Sequence, residues 1–193
     1  YLGGTTDITR TIPLGEVPGS YRRDYTLVLQ AFIRLHAARF PEGCTGKSLD
    51  VLSRQVMWEN YLDYKHGTGH GVGCYLNDHE GPTNFANARV PMEEGMVISI
   101  EPGIYRAGML GVRTENLVTV VRDKRSDEFG QFFRFEPLTL CPINTQAIET
   151  KMLSRSEVAW LNQYHSYVFE QLSPMLEPEE RKWLGAATAP LHI

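Results

Sequence analysis

Asp7, His70, Glu101 and Glu115 are the residues of this sequence best suited to chemistry. They stand in Thr6-Asp7-Ile8-Thr9, in Lys65-His66-Gly67-Thr68-Gly69-His70-Gly71-Val72-Gly73, in Ile100-Glu101-Pro102-Gly103 and in Val112-Arg113-Thr114-Glu115-Asn116. Three carboxylates and one imidazole in strand-like contexts are most of a two-metal hydrolase site. Oxygen donors with a single nitrogen suit manganese, iron or cobalt better than zinc. Two such ions about 3.5–4 Å apart bring the pKa of a shared water from about 15.7 to near 7, which is hydrolase chemistry. The glycines are no phosphate loop, because Val72 and Cys74 occupy the third-glycine position in the two registers of G-x-G-x-x-G.

The surrounding residues admit plainer readings one at a time. His66 and His70 form H-x-x-x-H without the H-E-x-x-H pattern of zinc helices, and alone they read as a core or surface pair. His79, within Asn77-Asp78-His79-Glu80-Gly81-Pro82, reads as a loop histidine. Asp7 alone fits an exposed edge strand. Glu101 and Glu115 would ordinarily be solvated strand positions. Here their neighbours Ile98, Ile100, Leu117, Val118 and Val120 mark central strands. If those strands pair antiparallel, alternation aims both carboxylates into one site with Arg113 beside them. Two carboxylates so placed repel unless a cation or proton separates them.

Several elements must position these groups. Thr5 to Pro13 alternates and is expected to be a strand. Ser20 is expected to cap a helix running to about Arg39, with Tyr25, Val28, Leu29, Phe32 and His36 on one face. Ser48 should cap a second helix to about Asn60, striped by Leu49, Leu52 and Val56. Glycine at every other position over 66–73 predicts an extended segment with close backbone approach. Strands are expected over Met96–Glu101, Val112–Val121 and within Phe132–Ile143, with a loop around Gly103–Gly111 and a charged loop from Arg122 to Gly130. Ser154-Arg155-Ser156-Glu157 is a capping box opening a helix to about Leu172, and a short helix follows from about Pro178 to Leu184.

Length and composition set the outer limits. At 193 residues and 42% apolar, the chain can build one sizeable core. A net charge of −4 and a pI near 5.9 give no nucleic-acid surface. No apolar run approaches the roughly 18–20 residues of a membrane helix. Cys44, Cys74 and Cys141 are odd in number and far apart, which disfavours a disulfide framework and fits a reducing cytoplasm. Tyr1-Leu2-Gly3-Gly4 starts inside a strand pattern without an initiator Met, so a piece of a longer protein is expected.

Taken in order, Tyr-x-x-Gly-Thr-Thr-Asp-x-Thr-Arg-Thr, His-Gly-Thr-Gly-His-Gly-Val-Gly, Asn-x-His-Glu-Gly-Pro, Glu-Pro-Gly-x-Tyr and Gly-x-Arg-x-Glu-Asn span residues 1 to 116. This array resembles aminopeptidase P, the Xaa-Pro aminopeptidases of the creatinase/methionine-aminopeptidase superfamily. The stretch Glu136–Ile143 and the Trp160-Leu-Asn-x-Tyr-His165 run are similar to the C-terminus of the long, three-domain type. The resemblance implies an α+β pita-bread fold, a curved antiparallel sheet flanked by helices. Residues 1–193 would be its C-terminal catalytic domain, incomplete at the N-terminal side, with about 154–193 as a helical extension.

It also implies five ligands for two manganese ions. Asp7 matches the second Asp of that set, His70 the histidine, Glu101 the first Glu and Glu115 the bridging Glu, while the first Asp is expected upstream of Tyr1. Glu101 corresponds to the general base, His79 to the donor that steadies the carbonyl oxygen, His66 to the residue beside the proline pocket, and Arg113 and Tyr105 to groups that orient ligands and substrate. The implied activity is removal of an N-terminal residue that precedes proline, by a cytoplasmic homodimer acting on proline-containing peptides, without nucleic-acid or membrane partners. With one anionic ligand missing, the chain as given is expected to bind one metal at most and to cleave little. The alternatives are a prolidase restricted to Xaa-Pro dipeptides, and a non-catalytic pita-bread module that binds peptides or proteins. The apolar residues around α-helical positions 154–172, among them Trp160, Tyr164, Tyr167 and Phe169, support the homodimer by exceeding one core face.

Overall fold

In the computed structural model, residues 3–73, 75 and 77–193 are described. Tyr1 of the first motif and Cys74 lie outside them. The elements follow as helix α1 (Gly19–His36), strand β1 (Arg39–Pro41), helix α2 (Gly46–Trp58), strands β2 (His70–Val72), β3 (His79–Asn84), β4 (Val97–Ile100), β5 (Gly103–Arg106), β6 (Leu110–Arg113), β7 (Asn116–Asp127) and β8 (Gly130–Pro137), then helices α3 (Arg155–Leu172) and α4 (Pro178–Ala187). An antiparallel sheet runs in the order β1-β8-β7-β4-β2-β3, and β5 pairs with β6 separately. The fold is α+β.

The core lies between this sheet and the helices. Ile98, Ile100, Val118 and Val120 from its centre join Val28, Leu29 and Phe32 of α1, all fully buried. The expected α1 stripe of Tyr25, Val28, Leu29, Phe32 and His36 is buried throughout. The helix is shorter than expected, and Pro18 rather than Ser20 stands at its N-cap. It stops at His36 because Arg39–Pro41 is recruited as the edge strand beside β8, with Phe40 opposite Phe133. Thr45, not Ser48, caps α2, its side chain accepting from the Ser48 N–H. The Ser154/Glu157 capping box forms as read, with Ser154 N–H donating to Glu157 at 2.7 Å and Glu157 N–H to Ser154 at 3.2 Å.

Three expectations in the sheet fail for identifiable reasons. The stretch Val112–Val121 is not one strand. It breaks at Thr114–Glu115, where the chain leaves the β5–β6 hairpin and enters the main sheet. That hairpin occupies the expected loop, because Ile104 and Val112 are buried and the Arg106 guanidinium clamps the buried Asp24 carboxylate of α1 at 2.5 and 3.0 Å. The charged loop after Arg122 is instead a long β7–β8 hairpin turning between Asp127 and Gly130, with Arg122, Lys124, Arg125, Asp127 and Glu128 exposed and Asp123 sheltered against Arg39. The strand expected within Phe132–Ile143 is present as β8 up to Pro137, and irregular chain follows it.

Thr5–Pro13 also forms no strand among the described residues. Only Thr9 makes a backbone bridge, to Glu115. Side chains replace the missing ladder: Thr5 donates to the Gly73 carbonyl at 2.5 Å, and Thr11 both donates to the Arg113 carbonyl at 3.0 Å and accepts from its N–H at 3.1 Å.

Two core histidines should make the fold acid-labile. Burial pushes His36 and His165 down to about 4, so both are neutral in the folded chain at pH 6. The unfolded chain binds those protons near pH 6.5, so it carries more protons than the folded one between pH 6.5 and 4, and stability rises with pH across that window. Each histidine should cost roughly 3 kcal/mol by pH 4. Thermal melts should fall steeply from pH 6.5 to 4, and His165→Gln should flatten the fall; an unchanged slope would contradict this account.

Candidate metal centre

The glycines explain how the histidine segment reaches the sheet. A Cβ on Gly69 would lie 1.8 Å from the Ser99 carbonyl oxygen, and one on Gly71 would lie 2.1 Å from that of Glu80. Only glycine lets this segment press against β4 on one side and the start of β3 on the other. His70 is thereby set against the end of β4, its N–H donating to the Ser99 hydroxyl at 3.0 Å. On the preceding turn, Arg54 of α2 donates to the carbonyls of Tyr64 at 2.9 Å and His66 at 2.8 Å, and Thr68 bonds Asp50. These contacts fix where His66 leaves the helix layer.

The carboxylates arrive from the other direction. β4 and β7 pair as far as Ile100 and Asn116, so Glu101 and Glu115 sit at adjoining strand ends. Arg113 lies between them, 3.8 Å from Glu101 and 3.6 Å from Glu115. His70 Nε2 lies 3.2 Å from Glu101 and 3.4 Å from Asp7. Thr9 donates to Glu115 at 2.5 Å and accepts from Arg113 Nε at 2.9 Å. Four residues spread from position 7 to position 115 therefore meet in one place.

Their protonation shows the strain of that crowding. Burial raises Glu115 to about 7, and the Glu101 and Asp7 carboxylates add to it against the opposing Thr9 bond and Arg113. Asp7 is also raised, by burial first and then by the neighbouring Asp78. Burial would depress His70, yet its bonds to Glu101 and the Gly71 carbonyl carry it up to about 9. For Glu101, burial works upward, but His70, the Ser99 hydroxyl and His66 prevail and lower it. Half-buried carboxylates that must share protons are the donor set that divalent cations relieve. The bond from Nδ1 of His70 to the Gly71 carbonyl, 3.0 Å long, leaves Nε2 as the ligand atom. The residues present fit a metal.

His66, His70, His79 and Glu101 line one cleft of about 420 Å³. His66 stands between the Tyr64 and Tyr105 rings, at 4.9 and 5.5 Å, and its buried Nε2 has no partner among the described residues. Tyr105 is half exposed, and the charge of the nearby Arg113 opposes the upward push of burial on its hydroxyl. His79 begins β3 rather than lying in a loop, and its ring stacks on His70 at 3.6 Å.

Sequence reasoning overlooked Thr9, Ser99 and Asp78. The Asp7-x-Thr9 and Ser99-x-Glu101 spacings, each placing a hydroxyl two residues from a carboxylate on the same side, were the available signal for the first two. Asp78 forms a further group with His70 and His79, ligand atoms within 4.8 Å of one another. Its side chain and that of His79 are 51% and 74% exposed, against 13–18% for Asp7, His70 and Glu101, so the sheltered set is the better cation site.

Comparison with known proteins agrees with this geometry. Residues 1–122 match metallopeptidase family M24, and residues 131–191 match the C-terminal region of peptidase M24. Probable Xaa-Pro aminopeptidases P of Tuber melanosporum and Paracoccidioides lutzii are each 44% identical over 99% of this chain, which spans 32% of their length. The crystal structure of an X-prolyl aminopeptidase from Caenorhabditis elegans, described as a cytosolic enzyme with a di-nuclear active site, superposes with a TM-score of 0.93 at 40% identity, over 97% of this chain and 31% of that one. An Xaa-Pro dipeptidase from Bacillus anthracis superposes less fully, with a TM-score of 0.57 at 34% identity over 72% of this chain and 36% of its own. The chain belongs to metallopeptidase family M24 and carries that family's pita-bread fold.

Proposed function

We propose that this chain is the C-terminal catalytic part of a metal-dependent aminopeptidase that removes an N-terminal residue preceding proline. The observation that carries the reading is the convergence of Asp7, His70, Glu101 and Glu115 beside a histidine-lined cleft, in a chain that matches Xaa-Pro aminopeptidases along nearly its whole length. Asp7, His70, Glu101 and Glu115 are its metal ligands, with one more aspartate expected upstream. Manganese is among the cations that oxygen donors with one imidazole suit, and it is the one we propose. Bound there, divalent ions supply Lewis acidity and a nucleophile derived from water.

The chain's own residues do the rest. Glu101 takes the proton of the attacking water and passes it to the leaving nitrogen, with Ser99 and His70 holding its carboxylate ionised. His79 and His66 line the cleft where the scissile carbonyl and the proline ring would lie. Arg113 screens Glu101 from Glu115, held by its Nε bond to Thr9, and Tyr105 stands beside it as a group that contacts substrate. A proline after the scissile bond has no N–H, so the cleft needs no acceptor for one.

The whole-chain match to the C. elegans X-prolyl aminopeptidase and to the curated Xaa-Pro aminopeptidases P favours peptides over dipeptides. The C. elegans enzyme supports a cytoplasmic location. Trp160 and Tyr167, half-buried on α3 beside an open cavity of about 330 Å³, support a homodimer. No described helix is long and apolar enough to cross a membrane. Rates on an Xaa-Pro-Pro tripeptide and an Xaa-Pro dipeptide, measured on the full protein with manganese, test the assignment. Faster tripeptide cleavage is expected. Exclusive dipeptide cleavage would make it a prolidase, and binding without cleavage would make it a peptide-binding module.

A further inference from the structure

Arg10 lies outside the donor set, yet its five N–H groups meet six acceptors. Nε donates to the Pro142 carbonyl at 3.0 Å. Nη1 donates to the carbonyls of Thr9 at 3.0 Å and Glu115 at 2.6 Å. Nη2 reaches Asn116 Oδ1 at 2.7 Å, the Cys141 carbonyl at 2.8 Å and the Tyr164 hydroxyl at 3.0 Å. These partners are all neutral, and they fall into two groups. Thr9, Glu115 and Asn116 are the backbone and neighbours of the site, whereas Cys141, Pro142 and Tyr164 belong to the C-terminal region.

The segment that carries Asp7 needs such a tie. It has no strand ladder, and a single backbone bond, Glu115 N–H to the Thr9 carbonyl at 3.1 Å, joins it to the start of β7. The same two residues are joined through side chains, Thr9 to Glu115, and Arg113 donates to that threonine. The position of the Glu115 carboxylate therefore follows the position of Thr9. Arg10 fixes the Thr9 and Glu115 carbonyls together and anchors both to the irregular stretch at Cys141–Pro142. Tyr164 completes the anchor, its hydroxyl within 2.9 Å of the carbonyls of Thr139 and Cys141.

We propose that Arg10 is a positioning residue through which the C-terminal region sets the spacing of Asp7 and Glu115. The proposal rests on the reading of those two as metal ligands. A ligand shifted by a fraction of an ångström binds its ion poorly, so the consequence is read in metal affinity. A lysine cannot substitute, because an ammonium is a point donor and cannot span a fork of six acceptors.

The experiment compares wild type, Arg10→Ala, Arg10→Lys and Tyr164→Phe in the full protein. Manganese affinity is measured by calorimetry, and kcat and KM on an Xaa-Pro peptide. Arg10→Ala should weaken manganese binding roughly 10–100-fold, as removal of outer-shell partners does elsewhere. Its kcat should fall at fixed sub-saturating manganese while KM for the peptide holds. Arg10→Lys should resemble Arg10→Ala. Millimolar guanidinium should restore affinity to Arg10→Ala by filling the vacated fork. Tyr164→Phe keeps the ring in the core, so it folds even where the Arg10 variants do not, and it should show a smaller loss in the same direction. Wild-type affinity in Arg10→Lys or in Tyr164→Phe overturns the proposal. So does a loss in Arg10→Ala that guanidinium leaves unrelieved, which marks a merely structural residue. Peptide cleavage by the wild type is scored separately: its absence sinks the proposed function, while the manganese affinities still decide the role of Arg10.

Discussion

Glu101→Gln should lower kcat on an Xaa-Pro peptide by roughly 10²–10⁴-fold, the range that a general acid–base group contributes. The residue sits where its two oxygens have separate duties. Oε1 faces His70 at 3.2 Å and the Ser99 hydroxyl at 3.2 Å, and Oε2 faces Arg113 at 3.8 Å. An amide keeps that shape and its bonds to the hydroxyl and imidazole. It can neither accept a proton at working pH nor contribute a negative charge to the donor set. The fold should survive, because Ile98 and Ile100, not Glu101, carry the packing of β4. Unchanged melting of the metal-free protein, together with the loss of turnover, is the expected pair of measurements. Retention of more than about a tenth of wild-type activity would remove Glu101 from the base role, since even weak general-base assistance exceeds that factor.

Stripping divalent ions should have an effect of similar size, and manganese should reverse it. The physical origin is the crowding of Asp7, Glu101 and Glu115, which holds Glu115 near 7 and Asp7 above its ordinary range when only protons are available. A cation replaces those protons and removes the repulsion. Binding to the folded state alone stabilises it by about 2.7 kcal/mol at a hundredfold excess over Kd. The melting temperature should therefore rise on adding manganese to the chelated protein, and activity should return with it. His70→Ala should abolish the manganese-dependent rise, because it deletes the one nitrogen donor in the set. Full peptide cleavage after exhaustive chelation, confirmed by metal analysis, would refute the metal centre.

The residues of this centre were legible in the sequence for a chemical reason. Carboxylates in apolar strand contexts and glycines at alternate positions are costly unless something uses them, so Asp7, Glu101, Glu115 and the His66–Gly73 segment stood out. The helices were legible as well, because the stripe on α1 and the Ser154/Glu157 box are local patterns of a few turns. Alternation marked the sheet interior but not its breaks. The turn of the backbone at Thr114–Glu115 depends on the β5–β6 hairpin docking onto α1 through Asp24 and Arg106, two residues 82 positions apart. Nothing local to either residue announces that pair.

Convergence was expected from the sequence, by alternation for Glu101 and Glu115 and by the family resemblance for all four residues, but the contacts that enforce it were not legible there. Thr9, Arg10 and Thr11 stand in for a strand ladder beside Asp7 and Glu115, and Arg10 draws on the Pro142 carbonyl more than 130 positions away. The sequence by itself determined which groups are present, their ligand chemistry and the period of each element, because these follow from residue type and short-range spacing. Only the tertiary structure decided which oxygen faces which nitrogen, how far burial moves each proton, and that His79 stacks on His70, because those are set by contacts between segments whose order along the chain carries no distance.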